Sequence, residues 1–210
     1  MRSRNSVFCY EGYSFVVFKE VYKPAEDTLL LARNLVVRRG ECVLDMGTGC
    51  GILAVVTAEM AARVVAVDIN PYAVVCTKKN ADLNGLRPKI EVLLGDLFSP
   101  LDSSRKFDLI LFNSPYLPVE EDEGGSWIEK AWAGGETGRK IIDRFIEEVP
   151  EHISQEGRIL LVQSNLSNVR TTLDFLDQSK LQAAVVDKEK LNFEEIVLIE
   201  AKKQPEGACT

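Results

Sequence analysis

The residues of this 210-residue chain that could do chemistry fall in two short stretches and at two further carboxylates. Asn113-Ser114-Pro115-Tyr116 is the first stretch. An Asn side-chain oxygen and a neighbouring backbone carbonyl can together accept both hydrogens of a planar NH2 group, while a Tyr ring covers its face. That is a clamp for an amide or an aromatic amine. A strand ending in Asn and Pro is also an ordinary turn, and the tetrapeptide alone leaves both readings open. Asp45-Met46-Gly47-Thr48-Gly49-Cys50-Gly51 is the second stretch. Glycines so spaced let the backbone approach a ligand closely and present helix N–H groups to it. The spacing is G-x-G-x-G followed by Ile52, not the G-x-G-x-x-G of a dinucleotide site, and no phosphate loop of the G-x-x-x-x-G-K type occurs. Asp45 beside the loop would repel phosphate and suits a cationic ligand. Asp68 lies 17 residues beyond Gly51, the arrangement that accepts both hydroxyls of a ribose, and it can cap the next helix at the same time. Asp96 could accept from an exocyclic adenine amine with Leu97 or Phe98 on the ring, or belong to a plain Gly-Asp turn.

These residues need elements that bring them to one place. The apolar run 107–112 reads as a buried strand of a parallel sheet, so the tetrapeptide sits at a strand's carboxyl end. In open α/β sheets ligands bind beyond those ends. Cys42 starts another strand that delivers the glycine loop, 63–68 (RVVAVD) ends in Asp68, and 89–94 (KIEVLL) is followed by Gly95-Asp96. Helices are expected over 29–39, closed by Gly40, and from the Asn70-Pro71 turn through Lys79. Residues 139–149 carry one apolar helical face, and 168–176 form a further helix. Strands follow at 158–162, 183–186 and 195–200, the last two joined by a connection too short for a crossover helix and therefore antiparallel. The alternation predicts an α/β fold, a seven-stranded, mostly parallel, doubly wound sheet with an antiparallel last strand. Residues 7–10 and 13–18 around Glu11-Gly12 could form a hairpin. Pro24, Glu26 and Asp27 crowd the start of the helix at 29–39, either as acidic capping residues or as a polar lid over a ligand.

Composition narrows the function. The length suits one domain, expected over 1–203, with residues 1–20 as an extension and 204–210 as a disordered polar tail. No apolar run reaches the roughly 18 residues that a membrane span needs, and the start does not read as a signal peptide, so the chain is expected to be cytoplasmic. Five scattered cysteines without C-x-x-C and a single histidine support neither a disulfide framework nor a zinc site. They read as free thiols, and His152 as a surface or capping residue. A net charge of −7 with no basic cluster larger than Lys78-Lys79 or Arg38-Arg39 disfavours direct binding of a long nucleic acid. The run Glu120-Glu121-Asp122-Glu123 reads as a solvated loop or as a contact for a basic peptide. The glycine-rich stretch around Trp132 reads as a surface linker or a closing lid.

Taken together, these residues resemble a class I, S-adenosylmethionine-dependent methyltransferase of Rossmann-like fold. Asp45-x-Gly47-x-Gly49-x-Gly51 is similar to the superfamily's cofactor loop, and the tetrapeptide resembles the Asn-Pro-Pro-Tyr motif of amino-group methyltransferases. Val21-Tyr22-x-Pro24-Ala25-Glu26-Asp27-Thr28 and Ala131-Trp132-Ala133-Gly134-Gly135-x-x-Gly138-Arg139-x-x-x-Asp143-Arg144-Phe145 resemble the archaeal and eukaryotic branch of the HemK-like protein glutamine methyltransferases. The resemblance implies S-adenosylmethionine as cofactor. Asp45, Gly47, Thr48, Gly49 and Gly51 would form its loop, Asp68 with Ile69 its ribose site, and Asp96 with Leu97 its adenine site. Tyr22, Glu26 and Thr28 would close over its methionine part, beside Asn113. The implied catalytic residues are Asn113, Ser114, Pro115 and Tyr116, with no metal.

The resemblance also implies a substrate, the glutamine of the Gly-Gly-Gln loop in a class I translation release factor. Ser114 stands where the family usually has Pro, which predicts a less rigid turn. Bacterial relatives carry an N-terminal helical domain for the release factor, whereas about twenty residues precede Tyr22 here. A small zinc-binding activator subunit is implied instead. Residues 89–94, from Lys89 at the start to Leu94 at the end, would be a sheet edge suited to strand addition. Rival uses of the clamp are an exocyclic amine of adenine or guanine, a protein lysine, or cofactor binding without catalysis.

Overall fold

The computed structural model describes residues 5–120 and 125–204. In chain order the elements are β1 (Ser6–Tyr10), β2 (Tyr13–Val17), α1 (Glu26–Arg33), β3 (Cys42–Met46), α2 (Ile52–Ala58), β4 (Arg63–Asp68), α3 (Pro71–Leu83) and β5 (Ile90–Leu94). There follow β6 (Phe107–Asn113), α4 (Trp127–Lys130), α5 (Lys140–Glu148), β7 (Ile153–Ser164), α6 (Val169–Gln178), β8 (Leu181–Lys190) and β9 (Glu195–Lys203). Seven strands form one sheet in the order β5-β4-β3-β6-β7-β9-β8. The first five run parallel, and β9 lies antiparallel to both β7 and β8. The order reverses between β3 and β6, so the carboxyl ends of these two strands flank the crevice where such sheets take ligands. Register puts Met46 beside Phe112, which brings the glycine loop and the Asn113 turn side by side.

The central strands read as continuous apolar runs because helices cover both faces of the sheet. Leu44, Leu109, Ile110 and Leu111 are inaccessible to solvent, and Phe112 and Phe145 pack with ring centroids 4.5 Å apart. β1 and β2 form the expected hairpin, with Glu11 and Gly12 both at positive φ, as a tight two-residue turn requires. The outer edge of β2 meets α3. Asn80 bonds both the N–H and the C=O of Val16, and Asn84, one turn later, does the same for Ser14. Two side-chain amides thus take the place of a neighbouring strand, leaving these backbone groups satisfied.

Several expectations from sequence are corrected. The helix expected over 29–39 is α1, which begins earlier and stops at Arg33. Beyond it the backbone is taken by tertiary partners: Arg158 donates to the Val36 carbonyl, and Glu41 accepts from the Arg38 N–H at 2.8 Å. Lys89 precedes its strand, and its ammonium bonds the carbonyls of Ala58, Glu59 and Ala61 at the C-terminus of α2, where the helix dipole favours a cation. β5 is a sheet edge, but its outer face is not apolar throughout, because Glu91 is paired with Arg63 and Arg105. His152 does cap the short turn Val149–Glu151, yet it is buried, stacked on Phe98 with centroids 4.7 Å apart and with Nδ1 3.1 Å from the Arg105 carbonyl. Gln204, expected in the tail, bonds Lys180 and Asp177, and residues 205–210 lie outside the described residues. Residues 121–123 of the acidic run, and Cys209, also lie outside them. Cys9, Cys42, Cys50 and Cys76 are free thiols. No helix among the described residues is long and apolar enough to cross a membrane.

Arg158 and Glu41 form an ion pair at 2.6 Å with both side chains buried, joining β7 to the segment before β3. Removing one partner strands a charge in the interior. Arg158→Met is therefore expected to cost about 3–5 kcal/mol, read as a lowered urea midpoint. The double variant Arg158→Met, Glu41→Leu should recover most of that loss.

Candidate active site

The glycine loop is held from beneath by its neighbours. Gly47 and Thr48 donate their N–H groups to the Val67 carbonyl, and Gly51, the residue before α2, has φ of 81°. A Cβ on Gly51 would stand 2.7 Å from Thr77, so only glycine lets α2 and α3 come this close. Gly49 by contrast faces open space, with no atom within 4 Å of where a Cβ would be. Asp45 is buried under the loop, where Oδ2 accepts from the Thr48 hydroxyl at 2.6 Å and the Ala54 N–H at 3.0 Å, while Oδ1 has no partner. Burial raises its pKa to about 7, against the lowering effect of those two hydrogen bonds.

A raised Asp pKa has a definite sign in stability. Below about pH 4 Asp45 is protonated in both folded and unfolded chains. Between about 4 and 7 the unfolded chain ionises first, so the contribution of this group to stability falls as pH rises and levels off above about 7. Asp45→Asn is expected to remove that decline and to stabilise the ligand-free protein at pH 8 by roughly 1–3 kcal/mol, read from unfolding curves at pH 5 and 8. A cationic ligand over the loop reverses the preference, so its affinity should grow as pH rises through about 7 in the wild type and not in the variant.

Asp68 ends β4. Its carboxylate accepts from the N–H groups of Gly49 and Asn70, both at 2.8 Å, which ties the glycine loop to the start of α3 and leaves further lone pairs on each oxygen. Burial raises its pKa against those hydrogen bonds.

Asn113, the last residue of β6, donates from Nδ2 to Thr28 Oγ1 at 3.1 Å, and its Oδ1 is buried without a partner. Ser114 does not loosen the turn as its sequence predicts. Its hydroxyl donates to the Val162 carbonyl at 2.7 Å from a buried position, and its N–H reaches the same oxygen at 3.4 Å, so two hydrogen bonds supply the restraint a proline ring would give. Behind Tyr116 lies the glycine-rich loop. Leu117 N–H bonds the Trp132 carbonyl, Gly134 N–H the Leu117 carbonyl, and Val119 N–H the Gly135 carbonyl, at 2.8–3.0 Å. Gly138 has φ of 71° and packs its Cα against the Tyr116 carbonyl so closely that any Cβ would overlap it. The conformational freedom of this glycine is what admits the turn at 113–116. Residues 131–138 are thus a brace for that turn and not a free surface linker.

Asp27, in the first turn of α1, joins the parts. Its Oδ1 accepts from the Thr28 N–H (2.5 Å) and hydroxyl (3.1 Å), and its Oδ2 from Tyr22 (3.1 Å) and, more weakly, Tyr116 (3.4 Å). Both tyrosines have pKa values raised well above the ordinary range, chiefly by burial and then by the Asp27 charge, so they stay protonated as donors. The Glu194 charge, on the turn between β8 and β9, adds to both shifts, and its Oε2 is buried without a partner.

The structure therefore gathers Tyr22, Thr28, Asn113, Ser114 and Tyr116 at one point, with Asp45, Thr48 and Asp68 around the adjoining loop. Glu26 is exposed beside this cluster, and Ile69 is half-exposed at the end of β4. Asp96 lies at the end of β5 with its oxygens held by Arg144 of α5 at 2.9 and 3.4 Å, followed by buried Leu97. Sequence reasoning missed three groups: Asp27 as a hub, Glu194, and Arg144. Asp27 left a signal, since it falls in phase with Leu30 and Leu31 on the buried face of α1, where a carboxylate is out of place. Arg144 stands in the motif at 131–145, but nothing in the sequence named Asp96 as its partner, and Glu194 left no signal, because their neighbours come from distant elements.

A sheet in this order, with a glycine loop after its central strand and acidic residues closing the next two, is the class I methyltransferase fold. A family model for ribosomal protein L11 methyltransferase (PrmA) matches residues 27–114. A putative protein N5-glutamine methyltransferase of Methanocaldococcus jannaschii is 40% identical over 91% of this chain and 96% of its own length. Methyltransferase HEMK2 of Homo sapiens is 37% identical over 79% of this chain and 81% of its own. Among solved structures, a chain of the E. cuniculi Mtq2-Trm112 complex, responsible for methylation of the termination factor eRF1, superposes with a TM-score of 0.69 at 23% identity, covering 88% of this chain and 99% of that one. This chain belongs to the HemK-like class I methyltransferases.

Proposed function

We propose that this enzyme transfers a methyl group from S-adenosylmethionine to the side-chain amide nitrogen of a glutamine, that of the Gly-Gly-Gln loop in a class I translation release factor. The observation that carries the reading is the Asn113 oxygen, buried without a partner while its own nitrogen is bonded to Thr28. Such an orphaned acceptor costs free energy unless a ligand N–H meets it. The named relatives support glutamine as the acceptor and a release factor as its bearer.

The residues present fit the cofactor. Asp45 Oδ1 is a second orphaned buried acceptor, open space lies over Gly49, and the carboxyl groups of Asp45 and Asp68 have pKa values raised by burial, so a cationic ligand would favour their charged forms. Asp45 and the glycine loop would hold the methionine end with Tyr22, Glu26 and Thr28 above it, Asp68 and Ile69 the ribose, and Asp96 with Leu97 the adenine. When bound, the cofactor supplies an electrophilic methyl group on a positively charged sulfur.

The chain's own part is orientation. An amide nitrogen is a poor nucleophile because its lone pair is delocalised. Asn113 Oδ1 and the Ser114 carbonyl accept its two hydrogens, and Tyr116 covers the amide face, which aims the nitrogen for in-line attack. The nitrogen would form one N–C bond as the sulfur–methyl bond breaks, its electron pair staying on sulfur to leave a neutral thioether, and one N–H proton passes to solvent, with no side-chain base needed beforehand. This reading places the enzyme in the cytoplasm and treats 1–203 as one catalytic domain. It also assigns the free edge of β5, at 89–94, to a small zinc-binding activator subunit, in keeping with the two-protein relative.

The test is incubation of the enzyme and its partner with methyl-labelled S-adenosylmethionine and release factor. Label in the release factor that disappears when the Gly-Gly-Gln glutamine is replaced supports the reading. Label in nuclease-sensitive material, or on lysine, would overturn it.

A further inference from the structure

Asn113 has an acceptor end and a donor end of nearly equal shape, and it can clamp an amide only with its oxygen toward the substrate. Packing cannot choose between two ends so alike. The hydrogen bonds around Thr28 can. Asp27, 5% exposed, receives four N–H or O–H groups: the Thr28 N–H and hydroxyl at Oδ1, the Tyr22 and Tyr116 hydroxyls at Oδ2. A carboxylate only accepts, so the one hydroxyl proton of Thr28 is committed to Asp27. Thr28 Oγ1 then has only lone pairs left for Asn113 and must receive Nδ2, which is the 3.1 Å contact observed. Asn113 Oδ1 is thereby turned away from Thr28 and stands buried without a partner.

We propose that Asp27 is a positioning residue which, through the Thr28 hydroxyl, fixes the amide of Asn113 with its oxygen toward the substrate and, through Tyr116, places the ring over the same point. The inference rests on the glutamine reading for its catalytic consequence. The residue must be a carboxylate, because every group that meets it donates. Asp27→Asn keeps the volume but turns one acceptor into a donor, and either end it offers to Thr28 or to the tyrosines meets groups that already donate. If its NH2 faces Thr28, the threonine proton turns toward Asn113 and the amide flips.

The experiment compares wild type with Asp27→Asn, Thr28→Ser and Thr28→Val, the last preserving the shape of the side chain without a hydroxyl. The side-chain amide of Asn113 is assigned by NMR as the signal lost in Asn113→Ala, and its hydrogen exchange is followed. Exchange should be slow in wild type and Thr28→Ser, and faster by about ten-fold or more in Asp27→Asn and Thr28→Val. With release factor as substrate, Asp27→Asn should lower kcat about a hundred-fold, as for a misplaced reacting group, with Thr28→Ser near wild type. Affinity for S-adenosylmethionine, to which Asp27 contributes one of several nearby carboxylates, should fall far less than kcat in Asp27→Asn, by about ten-fold at most. An unchanged Asn113 amide in both Asp27→Asn and Thr28→Val would overturn the proposal. So would equal losses of kcat and cofactor affinity in Asp27→Asn, which mark a general structural role. The amide measurement needs no substrate, so a wild type that ignores glutamine would sink the glutamine reading while exchange still decides the role of Asp27.

Discussion

Asn113→Ala is expected to lower kcat for methyl transfer by about a thousand-fold or more, the scale seen when a preorganised polar group is removed from the reacting centre. Cofactor binding should survive. The side chain lost is the one whose oxygen is buried and unpartnered and whose nitrogen meets Thr28, so the fold loses one hydrogen bond while the acceptor proposed for the substrate amide disappears entirely. Asn113→Asp is the sharper control, because it keeps an acceptor but sets a second carboxylate near Asp27 and removes the donor to Thr28. It too should be inactive. Single-turnover assays and calorimetry with S-adenosylmethionine separate the two quantities. A parallel fall in both would show that Asn113 supports the cofactor loop instead of the acceptor.

Gly138→Ala, a substitution of one methyl group outside residues 113–116, should have the next largest effect. The residue sits at φ of 71°, and its Cβ would overlap the Tyr116 carbonyl and come within 3.0 Å of Ser167 Cβ and 3.2 Å of Pro118. Two effects add. The left-handed backbone strains an alanine by about 1–3 kcal/mol, and relieving the overlap moves the Tyr116 backbone by about 1 Å. A displacement of that size at a reacting centre costs about a hundred-fold in rate. Thermal unfolding and kcat should therefore both fall. Gly12→Ala is the comparison: at φ of 82° it carries the same kind of strain, but a Cβ there meets nothing within 4 Å, so stability should fall and kcat should not.

The amino-acid sequence alone determined the elements and their order. Apolar runs of strand length, the glycine loop, and the acidic residues that end strands are local signals, each written in a few consecutive residues. They were enough to place Asp45, Asp68 and the Asn113 turn at the carboxyl ends of strands, and to read the last two strands as an antiparallel pair. Sequence failed where the partner is distant. The helix expected to run to Arg39 stops at Arg33 because Arg158 and Glu41 take the following backbone. His152 is buried because Phe98, from a different crossover, offers it a ring. Asp96 is held by Arg144, which no spacing could announce. Only the tertiary structure decided that Asp27, Thr28 and Asn113 form one chain of hydrogen bonds. Asn113 is 85 residues from Thr28, and the direction of a hydrogen bond depends on which groups meet, not on which residues are neighbours in sequence.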